Sequence, residues 1–385
     1  MRYTEQTERH GILSRDYSKR LSEKHAEHAK IMDANPVPHP SSSIHTPKRK
    51  RIDVLIRRII GGFTVFCAVT LAALYVFVGD QNPWGEFLTI WPPVLWLFGL
   101  IPLAILSSAP SVKRFTAVVW LAVLLFIIVT HEVRPMLRAL IPSSQARGEL
   151  RVVSWNVGGT LDMAAAIRDL RTLEPDICML QEYQGQLSPK DRETFGTVWP
   201  HAVQTGELVI LSRHPFRLLP AESVGPWSDP QLAMVDIEGR RLLIGNVRLM
   251  LPSLVLNPWE KKDRDVLTQC NAVRIGQFPK LAALIANTDG RERPDAILLG
   301  GDFNTAGHAW SLGPLRTMLK DVWPVAGRGW GGTCTTEYPV ARIDALYTSS
   351  MLVPVRAEVG SFLRSDHRPL IADFSWEVPS PKFRN

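Results

Sequence analysis

Residues 59–78 (IIGGFTVFCAVTLAALYVFV) carry no charged side chain over 20 positions. At 1.5 Å per helical residue that is roughly 30 Å, the thickness of one hydrocarbon core. Two more uncharged runs follow, 87–106 (FLTIWPPVLWLFGLIPLAIL) and 115–130 (FTAVVWLAVLLFIIVT). Buried core helices are the bland alternative, but three such runs separated by short polar loops predict three transmembrane helices, at 59–78, 87–106 and 115–131. Pro92, Pro93 and Pro102 predict a kink in the second, because proline removes a backbone donor. Arg114 can snorkel to lengthen the short third helix at one end, with His131 to Val133 extending the other. A cleavable signal peptide fits poorly, since polar residues 1–58 precede the first apolar run.

Charge sets the expected topology. Lys48, Arg49, Lys50, Arg51, Arg57 and Arg58 precede the first helix, Lys113 and Arg114 lie between the second and third, and the 79–86 loop has no Lys or Arg. The positive-inside rule then puts the N-terminus and the 107–114 loop in the cytoplasm and everything after residue 131 on the extracytoplasmic face. Arg134 and Arg138 run mildly against this. Residues 1–58 hold 13 Lys/Arg against 7 Asp/Glu, so this tail supplies +6 of the net +7. Its composition reads as a flexible cytoplasmic segment. Residues 141–385 hold 27 of each sign, so the high pI does not point to nucleic acid. Cys67, Cys178, Cys270 and Cys334 form no CxxC pair, which argues against a cysteine-held metal.

Beyond a linker at 132–149, residues 150–376 read as one α/β domain, with 377–385 as a C-terminal tail. Strand-length apolar runs recur at Leu150–Val153, Ile177–Leu180, Leu208–Leu211, Leu232–Ile237, Arg241–Val247, Ala296–Leu299, Ile343–Tyr347 and Leu370–Phe374. Helical patterns lie at Asp162–Leu173, with Asp162 a candidate N-cap, and at Leu267–Ala286, interrupted by Pro279. Polar residues cluster where strands end: SWNVGG with Asn156, LQEY with Glu182, LLGGDFNT with Asp302 and Asn304, ARIDALYTS with Asp344, and SDHRPL with Asp366 and His367. Carboxylates and amides without cysteine suit a hard divalent ion such as Mg²⁺ or Mn²⁺. A histidine among them adds acid/base capacity, and together they describe metal-assisted hydrolysis of a phosphoester.

The ordered set WN, QE, GDFN, RID and SDH resembles the endonuclease/exonuclease/phosphatase superfamily over residues 150–376. The resemblance implies a four-layered α/β (α+β) sandwich of two mixed β-sheets flanked by helices, here preceded by the three transmembrane helices. It implies Glu182 as principal metal ligand, with Asn156 beside it and Asp366 assisting. Asp302 would orient or deprotonate the attacking water, and Asn304 would hold phosphate or water in line. His367 would contact the scissile phosphate or transfer a proton, its tautomer fixed by Asp344. Relatives often carry a histidine where GNVRLM places Arg248. We read Arg248 as a phosphate clamp, with Asn246 its neighbour. His308 follows GDFNT closely enough to line the pocket, and Trp227, Trp259, Trp310, Trp323 and Trp330 are groove or core candidates.

The expected protein is therefore a multi-pass membrane phosphoesterase. Its substrate, a nucleic acid or a lipid head group, is left open by the sequence. The alternative is a catalytically impaired binding or scaffold protein on the same fold.

Overall fold

A computed structural model describes residues 47–89, 91–142, 147–158, 163–187, 189–252, 257, 259–362 and 364–377. The tail before Pro47, Asp162 and residues 253–256 and 258 lie outside the described residues. The chain divides into two compact units at Ile56/Arg57; the second holds the apolar helical runs and all the strands.

Helix α1 (Pro47–Ala73) runs on through a π-helical turn, Leu74–Val78; α2 (Pro83–Thr89), α3 (Val94–Ser107) and α4 (Lys113–Thr130) succeed it. Two helices, Lys50–Val78 and Pro110–Thr130, are long and apolar enough to cross a membrane, and a third crossing results if α2 and α3 count as one bent span. The expected kink is a bend of 68° between α2 and α3. Pro92 and Pro93 lie in it, consistent with their missing N–H groups and with the bias of pre-proline residues away from helix. Residues Ala68, Leu100, Val119, Val123 and Phe126 pack together inside. Phe66 is 66% exposed and Phe98 76%, an outward apolar surface suited to lipid rather than water.

The remainder is a sandwich. After α5 (Val133–Ala139), which continues the helical part, its elements in chain order are β1 (Leu150–Asn156), α6 (Met163–Thr172), β2 (Ile177–Gln181), α7 (Pro189–Gly196), β3 (His201–Thr205), β4 (Leu208–Ser212), β5 (Phe216–Leu219), β6 (Gln231–Ile237) and β7 (Arg240–Arg248). Then come α8 (Lys261–Glu292), β8 (Ala296–Asp302), α9 (Gly313–Arg316), β9 (Lys320–Asp321), α10 (Val322–Ala326), β10 (Asp344–Thr348), β11 (Leu352–Val359) and β12 (Leu370–Trp376). One sheet has the order β11-β12-β1-β2-β4-β3, the other β5-β6-β7-β8-β10-β9. Each holds one parallel pair, β1 with β2 and β7 with β8, and every other neighbour is antiparallel. The two sheets thus repeat one pairing pattern, although no repeat is visible in the residues. Helix α8 is continuous across Pro279, where the pattern predicted an interruption.

Between the sheets, Val152, Met179 and Ile210 meet Ala233, Ile244, Leu298 and Leu346. Trp155, Ile167 and Trp199 fill the outer layer of the first sheet, while Phe278, Leu281 and Ile285 of α8 fill that of the second. Burying such side chains contributes about 1.5–3 kcal/mol each relative to exposure.

The helices are docked on the sandwich, not loosely strung from it. Arg274 of α8 donates from Nε to Glu86 Oε1 (2.8 Å) and from Nη2 to Asp80 Oδ2 (3.0 Å), with all three side chains buried. Asp80 Oδ1 also accepts from Ser311 N at 3.0 Å. Arg342 pairs with Asp321 (2.9 Å) and with Glu132, which directly follows the last apolar helix. Arg138 of α5 donates to the carbonyls of Gly327 and Pro324. Residues 132–142, read from sequence as the start of a linker, thus hold a helix, Val133–Ala139, anchored at several points.

Candidate active site

The repeated topology brings the polar strand ends together. On the second sheet, Asp302 ends β8, and its Cα partners are Arg248 at the end of β7 and Asp344 at the start of β10. On the first sheet, Asn156 at the end of β1 is the partner of Gln181, and Glu182 follows at once. Carboxyl ends of parallel strands are where open α/β sheets place their ligands.

Asn156 joins the two halves: its Nδ2 donates to Glu182 Oε1 (2.9 Å) and Asp302 Oδ2 (3.0 Å). Its Oδ1 accepts from Gly158 N at 2.9 Å. A Cβ at Gly158 would collide with Glu182 Oε2, which accounts for the glycine after WNV. Glu182 and Asn304 both have left-handed backbones, φ 53° and 48°, a conformation uncommon outside glycine and frequent at functional sites. Gly301 (φ 146°) lies so close to the Val247 carbonyl that no side chain fits, and it lets β8 deliver Asp302 beside β7.

Asp302 takes hydrogen bonds from Asn304 N (2.8 Å, Oδ1) and Asn304 Nδ2 (3.1 Å, Oδ2), and Asn304 Nδ2 also donates to the Leu249 carbonyl at 2.8 Å. His367 Nδ1 donates to Asp344 Oδ2 at 2.8 Å. His367 is placed by its own loop: Trp155 Nε1 donates to the His367 carbonyl (2.9 Å), and Ser365 Oγ lies 2.8 Å from both the Asn156 and Gly158 carbonyls, to one of which its single O–H donates. Ligand atoms of Asp302, Asp344 and His367 lie within 4.8 Å of one another, all buried. Asp344 Oδ1 has no hydrogen-bond partner. An orphaned, fully buried carboxylate oxygen beside a second carboxylate is costly unless a cation or proton answers it, so the donor set fits a hard divalent ion.

Burial and then the neighbouring Asp344 carboxylate raise the Asp302 pKa. For His367 burial opposes the charged form, but the Asp344 carboxylate beside it prevails and the pKa is raised. At neutral pH, Asp302 is thereby suited to taking a proton and His367 to holding one.

Three residues sit differently from their sequence reading. Arg248 is engaged by carboxylates, with Nη2 at 2.8 Å from Glu182 Oε1 and Nη1 at 3.1 Å from Glu207 Oε1. Although burial disfavours its charge, these two acids hold its pKa above the usual value. Asn246, proposed as its neighbour, is fully buried between the sheets; its Nδ2 donates to the Leu180 (3.0 Å) and Val209 (3.1 Å) carbonyls and its Oδ1 accepts from Gln181 Nε2 (2.8 Å). It is a structural clamp, because its polar groups are all satisfied by the opposite sheet. Asp366 is exposed, with Oδ1 3.2 Å from Ser365 Oγ, outside the three-residue cluster. Sequence reasoning passed over Gly158, Glu207 and Ser365; the glycine and serine stand inside quoted motifs, which was the available signal. Of the tryptophans, Trp323 is core, while Trp227 and Trp259 are each 79% exposed.

A two-sheet sandwich with carboxylates and amides at the ends of its parallel strands, and an aspartate–histidine pair beside them, defines a metal-dependent phosphoester hydrolase. The chain belongs to the endonuclease/exonuclease/phosphatase family, whose profile matches residues 153–367. No curated protein matches the chain. Solved structures resembling it include an endonuclease/exonuclease/phosphatase from Beutenbergia cavernae (19% identity, 60% of this chain and 72% of that one, TM-score 0.44). Truncated TDP2 from Caenorhabditis elegans has 20% identity over 58% of this chain and 97% of that one, TM-score 0.44. A mannosyl-6-phosphatase from Bacteroides thetaiotaomicron has 14% identity over 59% and 99%, TM-score 0.43.

Proposed function

We propose that the protein is a membrane-anchored phosphoesterase that uses Mg²⁺ or Mn²⁺ to hydrolyse a phosphodiester by in-line attack of water on the extracytoplasmic side. The observation that carries the reading is the convergence of Asp302, Asp344 and His367 within 4.8 Å, bridged by Asn156 to Glu182. Glu182 and Asn156, together with the Asp302 and Asp344 carboxylates, would hold the ion, which when bound would offset charge on the phosphate oxygens. Asp302 orients the water and takes its proton. Asn304, fixed by Asp302 and the Leu249 carbonyl, holds the phosphate in line, the positioning that dominates phosphoryl transfer. His367, kept protonated at Nδ1 by Asp344, presents its other nitrogen to a phosphate oxygen or to the leaving alcohol.

Support for the topology comes from the ends of the helices. Arg57 donates to the Leu106 (2.8 Å) and Ser108 (3.0 Å) carbonyls, which joins the basic start of α1 to the 107–114 loop. The opposite ends, at Asp80 and Glu132, are those bound to the catalytic part. A basic end away from the catalytic part favours a cytoplasmic N-terminus and an extracytoplasmic site.

A second reading is a binding protein that has lost turnover, and the Arg248–Glu182 ion pair favours it by occupying the expected metal ligand. The test is hydrolysis by the full chain in detergent, with Mg²⁺, Mn²⁺ or chelator, across bis-p-nitrophenyl phosphate, plasmid DNA, RNA, sphingomyelin and phosphoinositides. Metal-dependent turnover lost in both Glu182→Ala and His367→Ala supports the enzyme. A folded chain silent on every substrate supports the binding protein.

A further inference from the structure

A cavity of about 130 Å³ lies where the helices meet the catalytic part, several times the roughly 30 Å³ share of one water molecule. From the helical side come Pro92, Pro93 and Met136; from the catalytic side come Asn304, His308 and Trp330. Its wall is a built polar one as well as an apolar one. Glu86 is 1% exposed with Oε2 unpartnered, and Arg274, 2% exposed, binds both Glu86 and Thr305 Oγ1, the latter at 2.5 Å. The cavity adjoins the reacting centre, because Asn304 lines it and donates to Asp302 at 3.1 Å.

On the membrane-anchored reading above, the cavity would lie at the level of a membrane surface. The apolar helical runs end beside it, at Val78 and Thr130. Trp84, Trp91 and Trp259 are 45%, 43% and 79% exposed, and the Trp84 and Trp259 rings lie 5.8 Å apart, one from the anchor and one from the catalytic part. Exposed tryptophans at helix ends mark the lipid–water boundary. A nucleic acid, by contrast, needs a basic track along many phosphates, and residues 141–385 carry 27 charges of each sign.

We propose that this cavity receives the non-phosphate end of a phospholipid whose phosphodiester lies at the Asp302–Asp344–His367 cluster. The proposal rests on the phosphoesterase reading above and names its substrate class. The reaction adds one water across one P–O bond: a new P–O bond forms from the water oxygen, the bond to the leaving alcohol breaks, and that alcohol leaves with a proton. The products are an alcohol and a phosphomonoester.

The experiment uses the full chain in mixed micelles with Mn²⁺, comparing phosphatidylglycerol with bis-p-nitrophenyl phosphate, which is too small to need the cavity. Met136→Trp and Val340→Trp each fill the cavity from a different wall, and thermal unfolding identifies which of them folds. The expected result is a fall of about tenfold or more in the ratio of lipid to bis-p-nitrophenyl phosphate rates, the scale on which pocket shape discriminates substrates. In the His367→Ala protein, phosphatidylglycerol with a diazirine in its acyl chain is expected to label the peptides holding Pro93 or Met136. An unchanged ratio in a folded variant, labelling confined to other peptides, or turnover of plasmid DNA without turnover of lipid would overturn the proposal. If the full chain does not hydrolyse bis-p-nitrophenyl phosphate, or His367→Ala hydrolyses it equally well so that the activity comes from elsewhere than this site, the phosphoesterase reading fails and the proposal falls with it; if that hydrolysis is present and lost in His367→Ala and the ratio does not move, only the cavity assignment fails.

Discussion

The two halves of the sandwich share a strand pattern yet are held differently. The hydrogen bonds and ion pairs described from the helices reach the half built on β5–β10: Asp80 and Glu86 to Arg274, Glu132 to Arg342, Arg138 to the Pro324 and Gly327 carbonyls. That half carries Asp302, Asn304, Asp344 and Arg248, and two of the tethered arginines reach its catalytic loops, Arg274 through Thr305 beside Asn304 and Arg342 two residues before Asp344. The other half, with Asn156, Glu182 and the His367 loop, is fixed by its own contacts, such as Trp155 to the His367 carbonyl and Ser365 to the Asn156 carbonyl. The helices therefore brace one side of the site as well as tethering it.

The largest expected effect lies where the halves meet. His367→Ala should lower the hydrolysis rate by about 10²–10⁴-fold, the usual worth of an acid/base group, in a chain that still unfolds cooperatively, at a midpoint lowered because the buried Asp344 loses its partner. A similar loss of folded protein would instead make the histidine structural. Next, Arg274→Ala leaves Asp80 and Glu86 buried without their cation and should cost about 3–5 kcal/mol. Denaturant unfolding in detergent reads this; a change under about 1 kcal/mol would show the brace to be weak. Removing the helices altogether, in a chain beginning at Arg147, takes Glu132 from Arg342 and Glu86 from Arg274. Turnover of bis-p-nitrophenyl phosphate should then fall about tenfold, the equivalent of about 1.4 kcal/mol, whereas equal turnover would reduce the helices to a tether. The smallest effect is expected from Gly158→Ala, which presses on Glu182 in the unbraced half: a few-fold weaker apparent affinity for Mn²⁺, read from metal titration of activity, on the order of 0.5–1 kcal/mol.

How much of this the residues disclosed varies with position in the sheets. All eight strands read from apolar runs are present. The four that were missed, β3, β5, β9 and β11, are the four outer strands of the two sheets. Edge strands are covered on fewer sides and need no continuous apolar run; β5 (FRLL) and β3 (HAVQT) are largely half-exposed or exposed. Likewise Asn156, Asp302, Asn304, Asp344 and His367 were legible because each stands at or near one end of an apolar run. Asn246 lies inside such a run, one residue before its end, and only its partners on the opposite sheet show it to be a clamp.

The sequence by itself determined the apolar helices, the inner strands and the chemistry at their ends, because hydrophobic periodicity and side-chain type are local properties. Only the tertiary structure decided that Asp80, Glu86 and Glu132 grip Arg274 and Arg342, and that Arg248 turns toward Glu182 and Glu207. Those pairings join residues up to 210 positions apart, and a buried charge can be read from neither partner alone, since its cost is met only by whichever opposite charge the fold brings beside it.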